Sequence, residues 1–336
     1  MIVFTAPSEV PSGFGRSIAA IGKFDGVHLG HRAIIDRARR RASGSGRKVV
    51  AVTFDRNPLH TLRPGACAAD LIGPAQKLRL LEDAGVDATL MLPFDETLAA
   101  MEAHRFVTAV LVDALRVDSV LVGGDFRFGR GGVGDPSLLS DMGESLGFAV
   151  DVVDDVVLAD AGRRVSSTWI RDLLAEGDVE AAARLLGRPP ALWGRVADAD
   201  SRQARRGLVT VQLTTDVLGF VPRPGLYAGS LARRHGARPR GRGQSVLVDI
   251  AAPSTRPGHG ALRLFVPEGS AAVLRGQAVE LSLEAPVRRP VASGHDARST
   301  PPPEEGFVAA ARRVSDGDSP KRSRYSAANR PRCVIP

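Results

Sequence analysis

The sequence predicts an α/β fold on a parallel sheet, followed by a small β-barrel and a disordered tail. Apolar runs alternate with amphipathic stretches over residues 17–155, and strands alternating with helices imply a parallel sheet covered on both faces. Short β-rich runs broken by Gly, Pro and Arg fill residues 193–283. Regular short strands with turn signals and no helical period indicate a barrel or sandwich. Roughly the last 45 residues are rich in Pro, Ser, Arg and Ala with few apolar clusters, and they cannot bury enough surface to fold.

In the first part the predicted strands are Ser17–Ile21, Lys48–Phe54, Ala88–Leu92, Ser119–Gly123 and Ala149–Val153. Helical periodicity covers His31–Ala42, Ala75–Ala84, Ala103–Leu115 and Pro136–Leu146. Residues 165–187 read as two short helices, with Ser166 or Ser167 as N-cap of the first. Gly187 and Pro189-Pro190 stop the second, which places the domain boundary between 189 and 190. The expected barrel strands are Leu208–Leu213, Leu226–Ser230, Val246–Ile250, Leu262–Val266 and Ala278–Leu283.

Composition narrows the function classes. No apolar run approaches the roughly 18 residues a membrane helix needs, so no membrane partner is expected. The N-terminus lacks a basic segment followed by a long apolar one, so no signal peptide is expected. Cys67 and Cys333 alone make no disulfide framework, which fits a reducing cytoplasm. Lys and Arg against Asp and Glu number 22 and 25 over residues 1–189, 15 and 7 over 190–290, and 8 and 5 over 291–336. The basic half has few aromatics for base stacking and no binding motif, so nucleic acid is not the expected partner. Only four lysines occur, so the arginine excess reads as a composition bias.

The most informative segment is Ile21-Gly-Lys-Phe-Asp-Gly-Val-His-Leu-Gly-His31. A strand would deliver His28 and His31 to the start of a helix, where unpaired N–H groups and the helix dipole favour anions. Gly30, without a side chain, lets a phosphate approach the main chain. The imidazoles supply hydrogen bonds, and positive charge if protonated. A zinc site is the weaker reading, because no cluster with ligand spacing lies nearby.

Further blocks follow in order: Thr53-Phe-Asp-Arg-Asn-Pro58, Leu92-Pro-Phe-Asp95, Val122-Gly-Gly-Asp-Phe-Arg-Phe-Gly129, and Val165-Ser-Ser-Thr-Trp-Ile-Arg171 with its trailing Leu-Leu-Gly-Arg-Pro. With them the chain resembles the prokaryotic bifunctional riboflavin kinase/FMN adenylyltransferases, or FAD synthetases, across about residues 15–190. The resemblance implies a Rossmann-like nucleotidylyltransferase domain over 1–189 that joins FMN to the AMP part of ATP with Mg²⁺, releasing pyrophosphate. It implies a riboflavin-kinase-like barrel over 190–290 and leaves 291–336 as a basic tail. The implied catalytic residues are His28, His31, Ser167, Thr168 and Arg171, the last as a planar fork for phosphate oxygens. Gly22, Phe24, Gly30, Asp125 and Phe128 are the implied nucleotide and flavin contacts; no metal ligand is assigned. Phe126 and Phe128 alternate, so one packs inward and Phe128 is expected to face the flavin. Gly129–Gly134 is expected to be a flexible loop able to close as a lid.

The chain also departs from the family. Arg56-Asn57-Pro58 stands where Pro-His-Pro is common, and Gly124 where an acidic residue is common. The kinase signature Pro-Thr-Ala-Asn is missing: there is no Pro-Thr dipeptide, and the only asparagines are Asn57 and Asn329. Ser201-Arg-Gln-Ala-Arg-Arg-Gly207 occupies its place. The expectation is an FAD synthase whose barrel is retained as structure and lost as a kinase. Transfer to another phosphorylated acceptor, intact bifunctionality, and a non-catalytic flavin-nucleotide sensor stay open as alternatives.

Overall fold

Continuous apolar runs, buried on both faces, become the central strands of a six-stranded parallel sheet in the order β1-β4-β3-β2-β5-β6. The strands are β1 (Ile2–Phe4), β2 (Ser17–Ile21), β3 (Lys48–Phe54), β4 (Ala88–Leu92), β5 (Val117–Gly123) and β6 (Ala149–Val153). The structure is a computed structural model and describes residues 1–62, 69–205, 208–214, 217–251 and 262–287. The expected tail over 291–336, Cys67 and Cys333 lie outside the described residues.

Helices cover the sheet: α1 (Leu29–Ala42), α2 (Pro58–Leu62), α3 (Pro74–Asp83), α4 (Glu96–Ala99), α5 (Ala103–Phe106), α6 (Pro136–Leu146), α7 (Ser167–Glu176) and α8 (Val179–Leu186). On one face Ala19, Ile21, Val50, Val52, Leu90, Val120 and Val122 pack with Phe106, Val107, Val110, Leu111 and Leu139. Their i, i+2 spacing is the strand period that sends alternate side chains to one side. The buried Ile34, Ile35 and Ala38 of α1 and Leu80 and Leu81 of α3 carry the other layer.

Strand β1 and the helix before β5 differ from the sequence expectation. Strand β1 is only three residues long and pairs in parallel with β4, Ile2 opposite Ala88, too short to show a period. The single helix expected over Ala103–Leu115 is α5 followed by a π-helical turn over Val107–Ala114. Over eight residues, an apolar pattern does not separate 3.6 from a wider repeat.

After the sheet come a short antiparallel pair, β7 (Val157–Leu158) with β8 (Arg163–Arg164), then helices α7 and α8. Packing divides the chain into two units. The first comprises Met1–Leu192, Leu218–Pro222 and Gly236–Arg238; the second comprises Trp193–Val217, Arg223–His235 and the chain from Pro239 on.

The second unit is a closed barrel in the order β10-β13-β12-β11-β14-β9. Its strands are β9 (Ala191–Arg205), β10 (Leu208–Leu213), β11 (Gly225–His235), β12 (Arg238–Ile250), β13 (Leu262–Pro267) and β14 (Ala278–Pro286), with helix α9 (Glu268–Leu274) between the last two. The barrel expected from short alternating runs is therefore present. Strand β9 was not expected, since charge and Gly interrupt its apolar residues. Trp193 is buried with its indole N–H donating to Glu280 at 2.7 Å. Among the described residues no helix is long and apolar enough to cross a membrane.

Candidate functional site

The strand order reverses at β2, whose neighbours are β3 on one side and β5 on the other. Ligands in open parallel sheets gather beyond the carboxyl ends of the strands at such a point. A cavity of about 540 Å³ lies there, lined by Gly22 and His28 after β2, Asn57 after β3, Phe94 after β4, Asp125 and Phe126 after β5 and Asp154 after β6.

The segment between β2 and α1 adopts an unusual backbone. Phe24, Gly26 and Val27 all have positive φ, at 48°, 79° and 41°. Only Gly26 has the residue type that tolerates this; left-handed Phe and Val are strained. A Cβ on Gly26 would also lie 2.8 Å from Leu71 Cδ1. Buried contacts hold the loop closed. The Asp25 carboxylate pairs with Arg171 of α7 and accepts from the Leu71 N–H at 2.9 Å. The Ser167 hydroxyl donates to the Asp25 carbonyl at 2.9 Å.

The loop ends by placing His28 as the N-cap of α1, its Nδ1 accepting from the His31 N–H at 3.4 Å. That bond leaves the neutral ring's proton on Nε2, so Nε2 is the donor. The two imidazoles stack at 3.7 Å between centroids, and Phe24 meets His31 edge-on at 5.2 Å. His31 Nδ1 is buried with no hydrogen-bond partner among the described residues. Gly30 lies so close that a Cβ would sit 3.2 Å from the His28 ring and 3.7 Å from the Val165 carbonyl. The starts of α1 and α7 therefore meet at the same cavity. Ser166, not Ser167, caps α7, accepting from the Trp169 N–H at 3.2 Å.

Burial first, then the Arg188 and Arg164 cations, lowers the His28 pKa to about 4, opposed by Asp125. Burial, with His28, Lys77 and Arg188 nearby, holds His31 well below the ordinary imidazole range. Both rings are neutral at physiological pH in the unliganded site. As neutral rings they can hydrogen-bond, and the positive charge near them lies on Arg164, Arg188 and Lys77.

The other expected site residues separate into three groups. Gly22, Gly30, Asp125, Ser167, Thr168 and Arg171 line the cavity with the histidines. Phe24 does not: it is fully buried beneath Gly22, a positioning side chain where a nucleotide contact was expected. Phe128 reaches the cavity but is only 7% exposed, packed in the core against Phe106. Phe126 stacks on it at 5.5 Å and is the more open of the pair. Both rings line the cavity, with Phe128, expected to be the outward one, the more buried, its chain bridging Gly134.

Arg171 was expected as a free phosphate fork. Its Nη2 is held by Asp25 and its Nε donates to the Ala69 carbonyl at 2.8 Å. The glycine-rich loop expected as a lid is held at its Gly129–Arg130 end, while Val133 is exposed. The Arg130 N–H donates to Met101 at 2.7 Å, and a Cβ on Gly129 would lie 2.8 Å from Ala103. Asn57 uses Oδ1 to accept from the Leu59 N–H at 3.2 Å, capping α2 at the cavity edge.

Three contributors were not singled out from sequence. Arg164 bridges Asp125 and Asp155. Buried Lys77 donates from Nζ to the Phe54 carbonyl at 2.8 Å. Arg188 grips the β2–α1 loop. Arginine abundance hides the first and last; the scarcity of lysine was the available signal for Lys77.

Comparison with known proteins agrees with this geometry. The FAD synthetase family model matches residues 12–169. The bifunctional riboflavin kinase/FMN adenylyltransferase of Escherichia coli K12 is 35% identical over 248 residues, spanning 73% of this chain and 75% of the relative. That of Pseudomonas fluorescens is 39% identical over 216 residues, spanning 64% and 68% respectively. The Bacillus subtilis protein of the same description is 31% identical over 214 residues, spanning 63% and 66%. A crystal structure described as a macrolide-efflux protein from Streptococcus pneumoniae superposes with a TM-score of 0.75 at 21% identity. It covers 94% of this chain and 97% of its own, and shares the fold.

Two outcomes follow from the electrostatics. Replacing Arg171 with Met leaves the Asp25 carboxylate buried and unpaired, which should cost about 3–5 kcal/mol in urea unfolding. Adding Asp25→Asn to that variant should recover much of the loss. A cost below about 1 kcal/mol, typical of exposed pairs, would contradict a structural ion pair.

The second outcome is acid sensitivity. The unfolded imidazole titrates at the ordinary 6.5 and the folded His28 at about 4, so the unfolded chain binds more protons between them. Stability present above 6.5 falls as pH drops through that window, by roughly 1.4 kcal/mol per pH unit for one group. Unfolding midpoints measured between those pH values should fall less steeply in His28→Gln. Equal slopes would place the titration elsewhere.

Proposed function

The chain belongs to the FAD synthetase family of bifunctional riboflavin kinase/FMN adenylyltransferases, and from that premise we propose that its first unit is an FMN adenylyltransferase. In this reaction a phosphate oxygen of FMN attacks the α-phosphorus of ATP. The bond to the β-phosphate oxygen breaks, giving FAD and pyrophosphate. The FMN phosphate is already an anionic nucleophile, so no Ser or Cys nucleophile and no strong base is needed. The enzyme has to align two anions and stabilise the charge that develops on the α- and β-phosphates.

The observation that carries this reading is the meeting of two helix starts and two stacked, neutral histidines at the β2/β5 switch. The N-termini of α1 and α7 offer backbone donors and favourable dipole ends to phosphate oxygens. His28 Nε2–H and the His31 ring add side-chain donors, and Thr168 adds a hydroxyl at the cavity surface. Ser167 and Arg171 act by holding the Asp25 loop at the cavity wall. Phe126, Phe94, Leu59 and Leu98 give the cavity an apolar side suited to the flavin ring.

Mg²⁺ enters this reading with the nucleotide. Among the described residues no three His, Cys, Asp or Glu side chains gather to hold a metal. Asp25 and Asp125 are each tied to an arginine. That donor set does not make a protein-held site; it fits an ion carried on the triphosphate, where Mg²⁺ keeps water and phosphate ligands. Bound there, it would neutralise phosphate charge. The cytoplasm is the compartment where ATP and FMN are at hand.

For the barrel we propose retained structure without kinase chemistry. Phosphoryl transfer depends on positioning and charge neutralisation, and between Gly194 and Phe220 there is no Pro-Thr dipeptide and no Asn, although Thr210, Thr214 and Thr215 lie there. The side chains of 201–207, where the motif would fall, lie outside the described residues.

His28→Ala and His31→Ala should each lower FAD formation from FMN and Mg-ATP by about a hundredfold or more, as expected when a preorganised transition-state donor is removed. Near wild-type turnover in either variant would sink the phosphate-stabilising role. Riboflavin with Mg-ATP should give no FMN above background on chromatography, while FMN with Mg-ATP gives FAD. Clear FMN production by the full-length protein would restore the bifunctional reading.

A further inference from the structure

Arg188 follows α8 at the end of the first unit. Its Nη2 donates to the Gly26 carbonyl at 2.5 Å, and its Nη1 donates to the Val27 carbonyl at 3.2 Å and to Leu186 at 3.1 Å. Gly26 and Val27 are left-handed residues of the strained loop, directly before His28. A left-handed valine is strained and persists only where its surroundings over-determine it. Asp25, Arg171 and Ser167 fasten the loop at one point. Nothing in that set touches the carbonyls of residues 26 and 27, which set the direction in which the chain enters α1. A planar guanidinium spans two adjacent carbonyls; an ammonium group does not reproduce that fork.

We propose that Arg188 is a positioning residue for adenylyl transfer, bracketing the Gly26 and Val27 carbonyls so that His28 is presented to the phosphates in one orientation. The proposal rests on the FMN adenylyltransferase reading for its effect on rate, and on the loop geometry alone for its effect on His28. The groups that face His28 are the stacked His31, the cations Arg188 and Arg164, and Asp125.

Two variants of the full-length protein separate bracketing from mere stability. Arg188→Lys keeps the charge without the fork, and Arg188→Met removes both. Both should lower kcat for FMN plus Mg-ATP by about tenfold or more, since a displacement near 1 Å is costly to a positioned group. The KM for ATP should stay within about threefold. In nucleotide-free protein, the NMR titration of His28 should move upward from about 4 in Arg188→Met, as the loop loosens and the cation is lost. In Arg188→Lys it should move less while kcat remains low. Wild-type kcat in both variants, or a His28 titration in Arg188→Met that superimposes on wild type, would overturn the proposal. Absence of FAD synthesis in the wild type would defeat the functional reading, and the titration would then decide the positioning claim by itself. Circular dichroism checks folding; if Arg188→Met is unfolded, Arg188→Lys carries the test through the split between kcat and KM.

Discussion

The site depends on one buried ion pair. Asp25 sits in the middle of a loop whose backbone is strained on both sides, and Arg171 reaches across from α7 to hold it. Desolvation raises the Asp25 pKa despite the arginine and the Leu71 N–H. The carboxylate is therefore held at a cost, and its partners are what keep it charged. Surface pairs elsewhere, such as Arg164 with Asp125, are exposed and contribute at most about 1 kcal/mol each. The buried pair differs in kind, because either partner left alone is a stranded charge. It couples the start of α1 to the start of α7, and the cavity exists where those starts meet.

That arrangement explains why the histidines carry no charge at neutral pH. Stacking two imidazoles under cover of the sheet, with Lys77, Arg164 and Arg188 around them, makes protonation unfavourable for both. A neutral ring with a fixed tautomer is a directional donor, insensitive to pH above its lowered pKa. The cations stay on arginines, whose ionisation does not vary. Phosphate binding would itself favour protonation, so a ring that stays neutral in the free enzyme leaves that electrostatic gain to the bound state.

Much of the fold was legible in the sequence, for a physical reason. Strands buried on both faces must be continuous apolar runs, and β2, β3 and β4 begin and end where those runs do. Helix α6 is equally clear, with Asp135 and Pro136 at its start and Gly147 at its end. What failed to show was whatever tertiary contact decides. Strand β1 needs β4 beside it, and the π-helical turn needs its layer. The histidine segment was visible as chemistry, yet the strain at Phe24 and Val27 has no local signature, since neither residue type favours positive φ. The roles of Arg171 and Phe128 shifted for the same reason. Sequence shows that a guanidinium or a ring is present; only packing shows which of its faces is already occupied.

The barrel illustrates how far structure and chemistry can part. Its closure requires side chains of the right size on alternate positions: Val209, Val211 and Leu213 on β10, Leu262, Leu264 and Val266 on β13, Val279, Leu281 and Leu283 on β14, all buried. A site carried on side chains outside that core can change without disturbing it. Architecture therefore does not by itself decide a barrel's reaction. The adenylyltransferase half has no such freedom. Its ligand-facing loop is also its most strained segment, and the side chains that fasten it reach from helices on the far side of the chain. Selection on the fold and selection on the site act there on the same residues.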